Sequence, residues 1–430
     1  MNIYIFHYHL NPGGVTRIIE LQYLALKQCD PQGSVTVLTG NCPDKEFWLR
    51  KGIKIIVNPD LNYLPKHQPV SPQQCENIVG FFRKTCHKPC ILHLHNVNLG
   101  KNPLVTVAAY KLSSEGYNIV NHAHDFSEDR PENQLFLEEV SASITGVPLQ
   151  SIMYPGHNNY KYAVLNQFDY NRLSGFGIGK PDLFLLPNPV FLDSATEMPV
   201  TEAQKEKLFN TLGLNPSKLL VTYPVRVIRR KNIAEFILLA LLFKDIANWV
   251  VTQPPKNPAE LTEYNQWKTF CTENNIKIFW EAGNKVGFES LIAISDYCIT
   301  TSIREGFGMA YLEPWLLGTP VIGRDLPMVT EGLKNSGIGF PMLWEKLFVN
   351  KQKEIFELET GEQMSLLKKI NLSETEKYKI LEMNPFLKEF PIKANLALIL
   401  ENKGVILRDY SLEKYGQRLN EIYRKFITHP

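Results

Sequence analysis

Two glutamates eight positions apart, Glu305 and Glu313, frame a Gly-Phe-Gly in the stretch REGFGMAYLEPWLLGTPVI, residues 304–322. The preceding DYCITTS reads as a strand, and the spacing predicts a helix starting near Phe307 or Gly308. A helix start offers free N–H groups and a partial positive charge, which suits an anion. Gly306 and Gly308 let the backbone approach a ligand with no Cβ in the way. Glu305 would then sit beside whatever carries the anion, and Glu313, two turns into the helix, would face another part of the same ligand. A phosphate between two hydroxyl-bearing groups, a sugar and a ribose, meets this description: a nucleotide sugar. The plain alternative is a capped helix whose glutamates suit its dipole.

Other clusters weigh against that reading or beside it. Three H-x-H pairs, His7/His9, His93/His95 and His122/His124, each fall near the end of an apolar run. Residues i and i+2 of a strand share a face, so each pair has the spacing of a chelate. A metallohydrolase with an early H-x-H needs a (β/α)8 barrel, against which the break near residue 190 argues. The ends of strands are also where open α/β sheets hold ligands. CENIVGFFRKTCHKPC (75–90) holds Cys75, Cys86, His87 and Cys90 at spacings that match no common zinc template. Its Phe81, Phe82, Arg83, Lys84 and Lys88 read as a surface helix packing two phenylalanines rather than a lipid-docking patch.

The elements that must position these residues alternate. Strand candidates are residues 2–9, 34–40, 54–58, 90–96 and 118–124, then 219–226, 249–253, 276–280, 296–302 and 319–324. Amphipathic stretches such as VTRIIELQYLALKQ (15–28) lie between them. That alternation implies parallel, doubly wound sheets. The polar, proline-bearing stretch after residue 187 reads as a linker. The expected organisation is therefore two Rossmann-like domains, 1–190 and 218–408, joined by 191–217 and facing a central cleft, with helical additions in 341–408 and a closing helix in 409–430. Lys+Arg number 46 and Asp+Glu 44, a near balance that gives no case for nucleic-acid binding. The seven cysteines suggest reduced thiols. MNIYIFHYHLNPGG lacks the basic flank and long apolar core of a signal peptide, and no apolar run reaches a membrane span of about 18 residues. A cytoplasmic enzyme is expected, with peripheral membrane contact not favoured.

EGFGMAYLEPWLLGTPVI resembles the E-x7-E signature of retaining GT-B glycosyltransferases of the family 4 type. YPVRVIRRKN (223–232) is similar to that family's Arg-to-Lys segment, preserved here as Arg226 and Lys231. HLNPGGVTRIIELQYLA resembles its N-terminal glycine loop, LLPNPV the close of its first domain, and YSLEKYGQRLNEIYRKF the helix that packs back on that domain. The resemblance implies a hexose moved from a nucleoside diphosphate sugar to a carbohydrate or glycolipid hydroxyl, substituted on one face of the ring with no protein nucleophile. It assigns the diphosphate to Arg226 and Lys231, the ribose to Glu313 and the donor sugar to Glu305. The backbone of Gly306, Phe307, Gly308 and Met309 would line sugar and phosphate, and Gly13 and Gly14 would admit donor phosphate and acceptor. NHAHDFSED places His124 where the family keeps a histidine near the donor hexose, with Asp125 orienting it or meeting the acceptor. Arg229 and Arg230 read as solvent-facing. No Asp-x-Asp occurs, so no metal–diphosphate clamp and no cofactor are expected. Two other readings remain: an epimerase of the same fold, and a non-catalytic sugar- or nucleotide-binding protein.

Overall fold

A computed structural model describes residues 2–192, 200–391 and 395–426. They fall into two compact units, Met1–Pro189 with Tyr410–Pro430, and Val190–Asp409. Each is built on a wholly parallel sheet with helices between successive strands.

In the first unit the strands are β1 (Asn2–His7), β2 (Ser34–Thr39), β3 (Lys54–Val57), β4 (Cys90–His95), β5 (Asn118–Ala123), β6 (Tyr160–Val164) and β7 (Leu183–Leu185), in the order β3-β2-β1-β4-β5-β6-β7. β4 is buried along its whole length, as a parallel strand covered on both faces should be. The order reverses between β1 and β4, which opens a crevice beyond the carboxyl ends of those two strands. The second unit has β8 (Leu219–Arg226), β9 (Ala247–Gln253), β10 (Tyr297–Thr300), β11 (Val321–Arg324) and β12 (Met342–Trp344), ordered β12-β11-β10-β8-β9. Its reversal lies between β8 and β10, paired through Tyr297 with Val221 and Cys298 with Thr222. The Arg-to-Lys segment leaves β8 and the E-x7-E segment leaves β10, so the strand order alone brings the two together.

Several expectations change. Ile276–Trp280 is not a strand: Phe279 makes a single parallel bridge to Val250. Asn275 and Glu281, both in the left-handed region, leave too few extended residues between them to continue a ladder. β6, β7 and β12 were not foreseen. Within the stretch read as the linker, Glu202–Leu212 is a helix started by a Thr201/Gln204 capping box; residues 193–199 lie outside the described residues. The 341–408 stretch holds helices Thr360–Leu372, Glu374–Met383 and Leu396–Asp409. The closing helix, Leu412–Arg424, packs on helix Gly14–Cys29 within the first unit. Gly416 permits the approach, because a Cβ there would lie 2.7 Å from Cys29 Sγ and 3.0 Å from the Ala25 carbonyl.

Helix Ile233–Leu242, which follows Lys231, is held from beneath by buried charge. Arg324 Nε lies 2.9 and 3.1 Å from the Glu235 carboxylate oxygens, and its Nη2 lies 2.6 Å from Glu354 Oε1. The Trp344 indole donates to Glu235 at 3.0 Å. Removing the cation leaves two carboxylates buried without compensation, whereas the intact set is satisfied. Arg324→Met is therefore expected to lower unfolding free energy by about 3–5 kcal/mol, read as a fall in the urea midpoint; a change within experimental error would show that the network does not hold this helix.

Candidate active site

The helix expected to start near Phe307 does not form there. Gly308 has φ +84°, Met309–Tyr311 is a single 3-10 turn, and the α-helix is only Glu313–Leu316. Pro314 explains the late start: it lacks an N–H and carries a φ fixed for the first helical turn, so it is tolerated only there. Glu313 thus heads the helix instead of lying two turns in, and four residues supply little dipole for an anion. Gly308 is needed by the fold itself, since a Cβ would lie 2.6 Å from Val329 Cγ1 and 2.8 Å from Tyr311 Cδ2. Phe307 is buried, Met309 half-buried and Gly306 exposed.

Glu305 is buried and fully engaged. Lys231 Nζ donates to its Oε1, and Arg230 Nη1 donates to its Oε2 at 2.7 Å and to the Arg304 carbonyl at 2.8 Å. Lys231 is fixed in turn through its own carbonyl, which accepts from the hydroxyls of Tyr223 and Thr301. Arg230, read as solvent-facing, is half exposed yet bound to Glu305; only the β8–β10 pairing makes that partner available. Burial works against the charge on both Glu305 and Lys231. The two cations outweigh it on Glu305, holding its carboxyl below the usual range, while on Lys231 burial prevails and the ammonium pKa falls.

Arg226 behaves differently. Half-buried at the end of β8, it meets Gln253 Oε1 at 3.4 Å and has no ion pair among the described residues. Burial lowers its pKa, and Lys256 feels it as a neighbouring like charge. Two cations near each other without a carboxylate make a place that an anion would relieve. Lys256 is not among the residues singled out from the sequence.

In the first unit helix Gly14–Cys29 begins at the double glycine, with Gly13 as its N-cap and no side-chain cap. A Cβ on Gly13 would come no nearer than 3.7 Å to anything, and on Gly14 it would meet nothing. The folded chain itself does not demand glycine there. His124, at 8% exposure, lies just past β5, its backbone N–H donating to Asn96 Oδ1 at 2.7 Å. Asp125 pairs with Arg130 at 2.9 Å. His93, His95 and His122 each offer a ring nitrogen within 4.8 Å of the others, close enough to share a metal ion. Most of their nitrogens are engaged in hydrogen bonds, His122 Nε2 excepted: His93 Nε2 lies 3.1 Å from His122 Nδ1, and His95 Nδ1 lies 2.8 Å from His124 Nε2. Burial lowers the pKa of all five interior histidines, to about 3 for His7 and His93, so the rings are neutral. In 75–90, Phe82 is buried, Phe81 packs against the core, and Arg83 pairs with Glu115 at 2.5 Å. No helix among the described residues is long and apolar enough to cross a membrane.

The lowered Glu305 pKa carries a stability sign. A carboxyl depressed in the folded state stabilises above its unfolded pKa, near 4.5, and loses that contribution as pH falls through the folded value. In Lys231→Met the folded pKa should rise toward or above the unfolded one. Urea unfolding between neutral pH and roughly pH 4 is expected to show the variant's deficit relative to wild type shrinking as pH drops; a constant deficit would mean that the ion pair contributes nothing.

Residues 204–342 match the family model described as glycosyl transferases group 1. Over 446 aligned residues the chain is 28% identical to a mannosylglucosyl-3-phosphoglycerate synthase of Petrotoga mobilis, covering 99% of this chain and 84% of that protein. A glycosyltransferase structure from Rickettsia africae superposes with a TM-score of 0.64 at 15% identity, over 100% of this chain and 99% of that one. Anabaena HepE in complex with UDP and glucose gives 0.60 at 16% identity, over 99% of each. The structural likenesses establish a GT-B fold across both units, and with the family match and the bacterial relative they support a GT-B glycosyltransferase.

Proposed function

We propose that this protein is a retaining, metal-independent hexosyltransferase that moves a sugar from a nucleoside diphosphate donor to an acceptor hydroxyl. The observation that carries the reading is the pairing of β8 with β10, after which Lys231 and Arg230 meet Glu305 while Arg226 and Lys256 keep positive charge without a carboxylate. A departing diphosphate gathers negative charge, and preorganised cations at that point stabilise the transition state. Arg226 and Lys231 take the diphosphate, and Lys256 adds charge near Arg226. Glu305 receives the donor-sugar hydroxyls by exchanging part of its hold on Arg230 and Lys231. Glu313 takes the ribose, and the backbone from Gly306 to Met309 lines the sugar and phosphate. Gly13 and Gly14 leave room for donor phosphate and acceptor. His124 meets the donor hexose and Asp125 the acceptor. The leaving diphosphate takes the acceptor's proton, so no protein nucleophile and no metal are required. The Petrotoga relative's name favours a small phosphorylated carbohydrate as acceptor over a glycolipid.

Three measurements test this. Arg226→Ala is expected to slow turnover by roughly a hundredfold, the loss of one fixed charge at a developing anion; unchanged diphosphate affinity and turnover would remove Arg226 from the site. Activity should survive EDTA, and a loss restored by a divalent ion would overturn the metal-independent mechanism.

The two glutamates should fail differently. Glu313→Gln weakens a charged hydrogen bond by about 1.5–3 kcal/mol, reducing affinity for bare nucleoside diphosphate and intact donor alike, because both carry the ribose. Glu305→Gln should spare the bare diphosphate and impair the donor, since only the donor carries the sugar. Calorimetric titrations in which both variants behave alike would refute this division. Donor turnover without acceptor would favour an epimerase.

A further inference from the structure

Four buried histidines of the first unit, His93, His95, His122 and His124, belong to one unbroken hydrogen-bonded chain that ends at His124. His122 Nδ1 and His93 Nε2 are 3.1 Å apart, and the Tyr423 hydroxyl is 2.9 Å from His93 Nδ1. Gln22 Nε2 donates to that hydroxyl at 3.1 Å, and Gln22 Oε1 lies 2.8 Å from His95 Nε2. His95 Nδ1 is 2.8 Å from His124 Nε2. Gln22, His93, His95 and His122 are all at 0% exposure, as is Tyr423.

A neutral imidazole has one N–H and one lone pair, so the role of one ring nitrogen fixes the role of the other. The Gln22 oxygen can only accept, hence His95 Nε2 carries the proton and His95 Nδ1 accepts. His124 Nε2 must then donate, and the lone pair of His124 is left on Nδ1. In the other direction the Tyr423 oxygen accepts from the Gln22 amide and its own proton goes to His93 Nδ1. His93 Nε2 therefore donates to His122 Nδ1, and His122 Nε2 bears the last N–H. That nitrogen has no hydrogen-bond partner, and the Leu186 backbone near the ring favours its protonated form. All four rings come out as the same Nε2–H tautomer. Turning the Gln22 amide over would reverse every link and put the proton of His124 on Nδ1.

We propose that Gln22 and Tyr423 are positioning residues that hold His124 as its Nε2–H tautomer, so that its Nδ1 lone pair is kept for a donor-sugar hydroxyl. The functional half rests on the reading of His124 given above; the tautomer half does not. Tyr423 lies on the closing helix Leu412–Arg424, 401 positions from Gln22 on helix Gly14–Cys29. The C-terminal segment thereby sets the chemistry of a residue whose own neighbours in sequence say nothing about its tautomer. It also makes a metal on His93, His95 and His122 incompatible with the chain, since coordination would take up lone pairs that the hydrogen bonds use.

The test is a long-range 1H–15N correlation spectrum of the full-length protein labelled at histidine ring nitrogens, with signals assigned through single histidine variants. The expected result is a protonated Nε2 on His93, His95, His122 and His124. In Tyr423→Phe the link is cut, His124 should become a mixture of tautomers, and donor turnover should fall roughly fivefold, the equivalent of about one neutral hydrogen bond. Gln22→Glu serves as the second variant if Tyr423→Phe fails to fold. A carboxylate still accepts from His95, leaving His95 and His124 unchanged, but it takes the Tyr423 proton, so His93 and His122 should switch to Nδ1–H. A wild-type His124 protonated on Nδ1, a Tyr423→Phe spectrum identical to wild type, or one tightly bound metal ion per chain by elemental analysis would each overturn the proposal. His124→Ala with undiminished donor affinity would overturn the donor-sugar reading alone, leaving the tautomer result standing.

Discussion

A carboxylate taken out of water must find positive partners, and Glu305 is the point at which this chain meets that demand. Leaving such a group buried and unpaired costs several kcal/mol, so β8 and β10 are constrained to deliver cations to it. They do so because they are adjacent and parallel, with loops that emerge from the same edge of the sheet. Tyr223 and Thr301 tie down the Lys231 backbone, and Arg324 beneath Glu235 fixes the helix that follows. The charge set around Glu305 is thus held by hydrogen bonds within the unit, the preorganisation that the proposed stabilisation of a leaving anion calls for.

The same rule governs the interior of the first unit with neutral groups in place of charged ones. His93, His95, His122 and His124 are too deeply buried to hold protons in excess, so each ring alternates donor and acceptor along the hydrogen-bonded chain. Gln22 and Tyr423 complete a pattern that the histidines alone leave open, and Gly416 gives the closing helix the proximity to do so. The hydrogen bonds between the rings offset much of the cost of burying them, His122 Nε2 being left without a partner.

Glu305 and Arg226 stand in contrasting electrostatic conditions. Glu305 is satisfied within the protein, whereas Arg226 is desolvated with only a long contact to Gln253 and a like-charged neighbour in Lys256. A group in the second condition is stabilised by an arriving anion, and one in the first must exchange a partner to bind.

Much of this was legible from residue order. Apolar runs alternating with helical periods imply parallel sheets, and both units have them, because strands covered on two faces must be apolar throughout. The Glu305, Arg226 and Lys231 candidates were visible because each follows a core strand, where α/β sheets expose loops. Short strands such as β7 and β12 were not visible, since three residues carry no period. The expected helix at Phe307 gave way to Pro314, a local constraint already present in the sequence. Arg230 on Glu305, Lys256 beside Arg226, and the relay from Tyr423 to His124 depend on strand order and on a helix returning across the chain. The sequence by itself determined which residues could carry charge or a proton and at which strand ends they lie. Tertiary structure alone decided which of them meet, because a hydrogen bond or ion pair acts over a few ångströms of space, and 401 positions of chain separate Gln22 from Tyr423.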